Sequence, residues 1–237
     1  MPDYFDAPTQ IEGMLATDIF TLNSALGAMI EEQIVVTLNK LRPVWDPEKK
    51  YLEFSFIRQS QTFPDVLLRK TTNGQDVLLG IELKGWYLLA KERMPNFRFT
   101  ASPLVCNPWD LIVIVPWVLS NVLSGRPIAF RPFIESARFA AEQRNHYWQH
   151  ERDTSANALI TLATGIAPYP SKGDKISDFA VADAGSNFGR LARYGIMKAY
   201  VDEMLASTVR GVSVKSWLDF FHKHAQEEPL PAETRRE

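Results

Sequence analysis

The sequence predicts an α/β fold in which a mixed five-stranded sheet is flanked by helices, with additional C-terminal helices. Three observations predict it. A long stretch with helical periodicity precedes several short strands, and two of these strands are joined by the turn pair Asn73-Gly74. The continuous apolar run LIVIVPW at 111–117 is typical of a strand covered on both faces. At 237 residues the chain is long enough to bury one sizeable core.

Hydrophobic periodicity defines the elements of the N-terminal half. A helix is predicted from about 18 to 41, where apolar residues recur every three or four positions, and Pro43 ends it because proline lacks the backbone N–H. Strands are predicted at 51–57, 63–69 and 76–84. The last two form a hairpin, because both residues of Asn73-Gly74 tolerate the positive φ of a two-residue turn. A further helix is predicted over 86–93.

The C-terminal half is predicted to add a strand and more helices. An edge strand at 126–133 carries two prolines, which an edge tolerates. A helix is predicted over 135–152 and a long surface loop over 164–186. Two more helices are predicted at 187–207 and 213–226, the last capped by Ser213. No domain boundary is evident, so we expect a core at about 18–133 and an extension at 134–226 within one domain, 1–237.

Composition restricts the cellular compartment and the classes of partner that we expect for the protein. The single cysteine, Cys106, excludes an internal disulfide and a Cys-rich zinc site, and it favours a reducing compartment. The first residues are acidic and polar, unlike a signal peptide, and no apolar run is long enough to cross a bilayer. We therefore expect a soluble cytoplasmic protein with no membrane partner. The net charge of −2 does not indicate a nucleic-acid partner. The charge is uneven, however, because the segment 186–224 contains six basic residues and only three acidic ones.

The hairpin brings two carboxylates together. If Asn73 and Gly74 are its turn residues, the numbers of any two directly opposed residues add up to 147, so Asp65 lies opposite Glu82. Because side chains alternate between the two faces of a strand, Lys84 lies on the same face as Asp65 and Glu82. The other face of the hairpin is apolar and would pack on the core. Like charges opposed in this way destabilise a sheet unless something binds between them. A magnesium ion would do so, since it prefers carboxylate oxygens, and Lys84 would add an ammonium that can assist an attacking water.

These residues resemble the signature of the PD-(D/E)XK nuclease superfamily. Pro64-Asp65 is followed, after sixteen residues, by Glu82-Leu83-Lys84. The resemblance implies a restriction-endonuclease-like core of a helix, three antiparallel strands, a helix and a further strand. It implies that Asp65, Glu82 and the backbone carbonyl of Leu83 bind Mg²⁺, and that Lys84 attends the nucleophile. Members often add an acidic residue from the first helix, for which Glu31 fits better than Glu32.

The resemblance implies a magnesium-dependent endonuclease that cleaves double-stranded DNA at a specific sequence, a type II restriction endonuclease. A homodimer would match the two-fold symmetry of a palindromic site, and a DNA methyltransferase acting on the same site would accompany the restriction system. Three alternatives stay open. The chain could be a Holliday-junction resolvase or repair-type nicking nuclease, or a non-catalytic DNA-binding module on the same fold. Glu82 and Lys84 could also form an ordinary exposed ion pair.

Candidate DNA contacts lie in the long loop and the predicted helix start that follows it. Helix N-termini favour phosphates, and arginine or asparagine side chains can contact base edges. The candidates are Lys172, Lys175, Asn187, Arg190 and Arg193. The alternative is a capped, solvated helix with ordinary surface arginines.

Overall fold

The computed structural model describes residues 2–13, 15, 22–59, 62–152, 159–165, 167–171, 173–181, 183 and 187–224. Its helices are α1 (Leu22–Lys40), α2 (Arg42–Trp45), α3 (Ala137–His146), α4 (Lys198–Ala206) and α5 (Val214–His224). Its strands are β1 (Phe54–Arg58), β2 (Val66–Lys70), β3 (Val77–Tyr87), β4 (Leu111–Leu119), β5 (Pro127–Ala129), β6 (Phe133–Ser136), β7 (Ile160–Thr161), β8 (Phe179–Ala180), β9 (Thr208–Val209) and β10 (Val212–Ser213). Short 3-10 helices lie at Pro2–Tyr4, Pro103–Val105 and Leu191–Tyr194, and a π-helical turn at Tyr147–Glu151 extends α3.

A mixed sheet organises the core. Its strands lie in the order β1-β2-β3-β4, with β1, β2 and β3 antiparallel and β3 parallel to β4. The far edge of β4 is shared by β5 and β6, which pair with its C-terminal and N-terminal parts respectively. Six strands therefore occupy five positions, and the mixed α/β sheet of the sequence prediction is confirmed. The predicted single strand at 126–133 is wrong in detail, because Pro132 lies in the gap between β5 and β6 and proline cannot donate to a ladder.

Burial explains the strongest elements. β4 is covered on both faces as its apolar run predicts, with Ile112, Ile114 and Trp117 fully buried. Helix α1 buries Ile30 and Ile34, one turn apart, against the sheet. It ends at Lys40, and Pro43 lies in the first turn of α2, where its missing N–H costs nothing. The predicted beginning of this helix, at 18–21, lies outside the described residues. In the described chain, no helix is both long and apolar enough to span a membrane.

The hairpin of β2 and β3 has the predicted register but a different turn. Val66 faces Ile81 and Leu68 faces Leu79, so facing positions sum to 147 as expected. The loop spans six residues, 71–76, instead of two, and Arg69 faces Val77. A bulge between Leu68 and Arg69 absorbs the difference of one residue. The register at the carboxylate end is therefore correct although the two-residue turn was wrong.

Two of the predicted helices do not form where expected. Residues 86–93 are not a helix, because β3 continues to Tyr87, which pairs with Trp117 of β4 and is fully buried. The connection from β3 to β4 contains only the short 3-10 helix Pro103–Val105, so it departs from the helical connection that the resemblance implies. The predicted helix at 187–207 is replaced by turns, a 3-10 helix and then α4. The helix predicted from Ser213 is confirmed as α5, with the Ser213 hydroxyl accepting from Ser216 N at 3.1 Å.

Gly80, in the middle of β3, allows two neighbouring segments of the chain to approach this strand closely. A Cβ on Gly80 would overlap Pro64 Cγ and lie 3.0 Å from Asp110 Oδ1. The Gly80 amide itself donates to Asp110 Oδ1 at 2.7 Å, and this buried carboxylate also accepts from Tyr169 and Asn107. The absence of a side chain at Gly80 therefore allows Pro64, before β2, and Asp110, before β4, to lie close to β3.

We expect Gly80→Ala to lower the free energy of unfolding by about 1–3 kcal/mol, since it overpacks a tight contact. The matched control is Gly27→Ala in α1, where a Cβ would meet nothing within 4 Å. That change should raise stability by up to about 1 kcal/mol, because alanine favours helix. Urea unfolding followed by circular dichroism measures both, and equal effects of the two substitutions would contradict the packing argument.

Candidate active site

The site lies where β3 extends beyond the beginning of β2. β2 begins at Val66, which faces Ile81, and β4 covers the other side of β3. Among the described residues, no strand pairs with 82–87 on the side of β2. Carboxylates take the place of the missing strand. Asp65 Oδ2 accepts from Leu83 N at 3.0 Å, and Glu31 Oε1 from α1 accepts from Gly85 N at 3.4 Å. Because a strand residue points its N–H and C=O to the same side, the Leu83 carbonyl also lies on this edge.

Two cations balance Glu31. Lys84 Nζ lies 3.4 Å from Glu31 Oε1, and Arg58, at the end of β1, reaches Glu31 Oε2 at 3.3 Å. Glu31 is largely buried, whereas Glu32 is exposed and lies 3.8 Å from the other terminal nitrogen of Arg58, Nη1. The structure thus brings Glu31, Asp65, Glu82 and Lys84 together and leaves Glu32 outside. Sequence reasoning missed Arg58; its only signal was a basic residue at the end of a strand predicted beside the hairpin.

Burial and mutual repulsion perturb both hairpin carboxylates. Desolvation raises the pKa of Asp65 to about 6, an effect that the charge of Glu31 increases and the Leu83 amide and the two cations oppose. Desolvation also raises the pKa of Glu82 well above its usual range, and the neighbouring charge of Asp65 raises it further. Glu82 Oε2 is shielded from solvent and has no hydrogen-bond partner among the described residues. An unpartnered buried carboxylate oxygen is costly unless a cation or a proton joins it.

The donor set fits a hard divalent cation. Asp65, Glu82 and the Leu83 carbonyl would supply oxygens only, and Mg²⁺ characteristically takes one or two carboxylates and keeps several waters. The unpartnered Glu82 oxygen is the observation that favours such an ion. Across the described ranges, no three His, Cys, Asp or Glu side chains converge closely enough to hold a metal by themselves. Any ion here would therefore complete its shell with backbone, water or substrate oxygens.

A groove opens in front of the carboxylates. Asp65 and Glu82 line a cavity of about 240 Å³ whose opposite wall is the segment Arg98–Ala101, with Ile176 beside it. Phe63 packs on Phe99 at 5.9 Å between ring centroids, which fixes this wall against the site. Ala101 pairs with Ser177, so the C-terminal extension reaches the edge of the groove. Arg98 was not identified from the sequence, because nothing local marks it apart from its place between two buried phenylalanines.

The candidate DNA contacts are distributed differently from the prediction. Asn187, Arg190 and Arg193 do not begin an α-helix, because Gly189 and Gly195 adopt φ of +81° and +90°, which interrupt it. A Cβ on Gly189 would lie 2.8 Å from Phe99 O, so that glycine allows the close approach of two backbones.

The remaining candidates lie near the groove or outside the described chain. Arg190 pairs through its backbone with Arg98 on the groove wall. Arg193 donates to the Asn187 side chain. Lys175 is exposed next to Ile176, with Nζ 5.1 Å from the Phe179 ring centroid. Lys172 lies outside the described residues. Cys106 is fully buried, in keeping with a structural role.

Comparison with known proteins adds no relative to this picture. No family model matches the chain, and neither a curated protein nor a solved structure matches it.

We expect Asp65→Asn to stabilise the metal-free protein above pH 7 by about 1–3 kcal/mol, since one pKa unit corresponds to about 1.4 kcal/mol. The asparagine oxygen can still accept from Leu83 N, while the buried charge is gone. The folded protein binds the Asp65 proton more tightly than the unfolded chain, because the pKa rises from 3.8 to about 6. The wild type should therefore lose stability as the pH rises through that window, and the variant should lose less.

Denaturant unfolding at pH 4 and at pH 8, in a chelator, measures this difference. The control is Asp76→Asn, an exposed residue in the loop of the same hairpin, which should change little at either pH. A destabilising Asp65→Asn at pH 8 would mean that the carboxylate is satisfied without a cation.

Proposed function

We propose that the protein is a magnesium-dependent endonuclease of the PD-(D/E)XK type, which hydrolyses double-stranded DNA at a specific sequence. The observation that carries the proposal is the convergence of Asp65, Glu82 and Lys84 on one edge of β3, with Glu82 Oε2 buried and without a hydrogen-bond partner in the part of the chain that the structure describes. The spacing of the sequence predicts this convergence, and an accidental surface hairpin gives no reason for the burial of Glu82. The connection between β3 and β4 lacks the helix of the family core, so the proposal rests on the residues of the site and not on the fold.

The residues of the site divide the work of phosphodiester hydrolysis. Mg²⁺, when bound, would polarise the phosphate and favour ionisation of a nearby water. Asp65, Glu82 and the Leu83 carbonyl would hold the ion. Lys84 would orient the attacking water and stabilise the negative charge that develops on the phosphate as the new P–O bond forms and the old one breaks. Glu31 holds the Lys84 ammonium at 3.4 Å and so keeps it beside the carboxylates.

Site-specific DNA is the substrate that the surroundings favour. Ile176 of the extension lines the groove, and Ser177 and Arg190, also of the extension, pair with Ala101 and Arg98 of its wall. An extension of this length that reaches the groove is suited to target recognition. We propose a homodimer for a palindromic site, with one catalytic groove for each strand. A restriction enzyme of this kind would act in the cytoplasm, beside a methyltransferase that protects the same sequence.

We expect magnesium to stabilise the folded protein independently of any cleavage. A ligand that binds only the folded state adds about 1.4 kcal/mol at roughly ten times its Kd, so the Tm should rise with magnesium concentration. Glu82→Gln should abolish this rise, because the amide cannot neutralise the cation. Thermal unfolding with matched ionic strength of sodium chloride is the measurement, and an equal rise in the variant would place the ion elsewhere.

Cleavage itself is tested on unmethylated phage DNA with magnesium. We expect discrete fragments, lost in a chelator and reduced at least about 100-fold in Lys84→Gln, as for loss of a group that assists proton transfer. The matched control is Lys70→Gln, which removes a lysine at the far end of the same hairpin, where its partner is Glu53 at 2.9 Å. Lys70→Gln should cut like the wild type.

The pattern of products decides between the open alternatives. A smear, or cleavage of four-way junctions alone, would keep the chemistry and replace restriction by repair or junction resolution. DNA binding without cleavage of any of these substrates would favour the non-catalytic module.

A further inference from the structure

Arg98 lies at the boundary between two adjoining cavities. One is the groove of about 240 Å³ that contains Asp65 and Glu82. The other, of about 230 Å³, is lined by residues of the extension, among them Ser177, Phe179 and Asp183. Arg98 and Thr100 line both cavities. A strand whose scissile phosphate faced the carboxylates would therefore pass Arg98 as it left the site.

The backbone that carries Arg98 is fixed by two parts of the extension. Phe99 N donates to Gly189 O at 2.6 Å, and Arg98 pairs with Arg190. The buried guanidinium of Arg144 donates to Phe99 O at 2.8 Å and to Ala101 O at 3.0 Å. The long Arg98 side chain is exposed and therefore projects from a rigid support. A positioned guanidinium loses less conformational entropy when it binds a phosphate than one on a loose loop.

The present partner of Arg98 is weakly held. Arg98 Nη2 contacts Asp183 Oδ2 at 3.3 Å, through one nitrogen and with the arginine side chain 43% exposed. Solvent-exposed ion pairs of this kind contribute little. Asp183 is itself anchored, since its Oδ1 accepts from Phe188 N at 2.8 Å. A phosphate could instead accept two parallel hydrogen bonds from the guanidinium, which is the stronger arrangement.

We propose that Arg98 is a DNA-backbone-binding residue of the groove, and that Asp183 is its resting partner, displaced by a phosphate when duplex binds. This inference rests on the proposed function and adds to it both a contact to the cleaved strand and a device that weakens binding. Asp183 competes with every phosphate for the same guanidinium. Duplex that cannot bring a phosphate into bidentate contact with Arg98 leaves the ion pair intact and is held less tightly.

The test is equilibrium binding of a fluorescently labelled duplex of about 20 base pairs, in a chelator, over a series of salt concentrations. Each neutralised phosphate contributes about 0.9 to the slope of log K against log salt. We expect Arg98→Gln to weaken binding at least about fivefold at low salt and to reduce that slope by about one. Asp183→Asn should strengthen binding by roughly two- to fivefold, and it should have no effect once Arg98→Gln is present.

The chain offers a matched control. Arg126 and Asp6 form another exposed ion pair, at 3.8 Å, and neither residue lines the two cavities. Arg126→Gln and Asp6→Asn should leave affinity and slope unchanged. Circular dichroism and thermal unfolding check that all variants fold, and the KM for cleavage gives a second reading of the same contact.

The outcomes separate the two proposals. If the wild type binds or cleaves DNA and Arg98→Gln alters neither affinity, slope nor KM, the assignment of Arg98 is overturned and the nuclease stands. If Asp183→Asn weakens binding or leaves it unchanged, the displaced-partner role is overturned. If the wild type neither binds nor cleaves duplex, the inference fails together with the proposed function.

Discussion

The length difference between β2 and β3 is the constraint on which the site depends. β3 needs its full length to pair with the buried β4, whereas β2 begins only at Val66. Amides at Leu83 and Gly85 are left without a strand partner, and backbone donors in a protein interior must be satisfied. Asp65 and Glu31 satisfy them with carboxylates. Negative charge thus gathers at this edge because the sheet is incomplete there, and Lys84 and Arg58 gather with it.

The use of buried carboxylates at this edge has an electrostatic cost, and the packing of the fold keeps the charges close together despite it. Burial raises the pKa of both Asp65 and Glu82, so at neutral pH the two carboxylates resist ionising together. The apolar strand β4, buried from Ile112 to Leu119, lies beside β3 in the sheet, with Ile112 paired to Glu82. A rigid, well-packed strand can hold like charges at a fixed separation, which a mobile loop would relax. Carboxylates whose pKa is perturbed by burial together with a neighbouring charge are characteristic of functional sites.

The sequence was informative where structure is local or periodic and uninformative where it depends on distant contacts. The register of 147 was derived from Asn73-Gly74 as a two-residue turn, and a compensating bulge preserves it at the carboxylate end although that turn was wrong. The helix predicted at 86–93 failed because burial of Tyr87 beside β4 outweighs local propensity. Glu31 could be proposed from the resemblance alone. Arg58 and Arg98 could not, since Arg58 reaches Glu31 and Arg98 reaches the groove through tertiary packing that no spacing reveals.

The groove wall is supported by a buried ion pair that lies within the extension. Arg144 and Asp178 lie 2.7 Å apart and are almost completely inaccessible to solvent. Such a pair compensates its desolvation only when its remaining hydrogen bonds are made. Here they are, because Arg144 also binds the carbonyls of Phe99 and Ala101, and Asp178 accepts from Asn145 and from Ala163 N. A shift of Asp178 relative to Arg144 would leave a charge buried without its partner. Because Arg144 also holds two carbonyls of the groove wall, that wall, α3 and the segment around Asp178 must move as one unit.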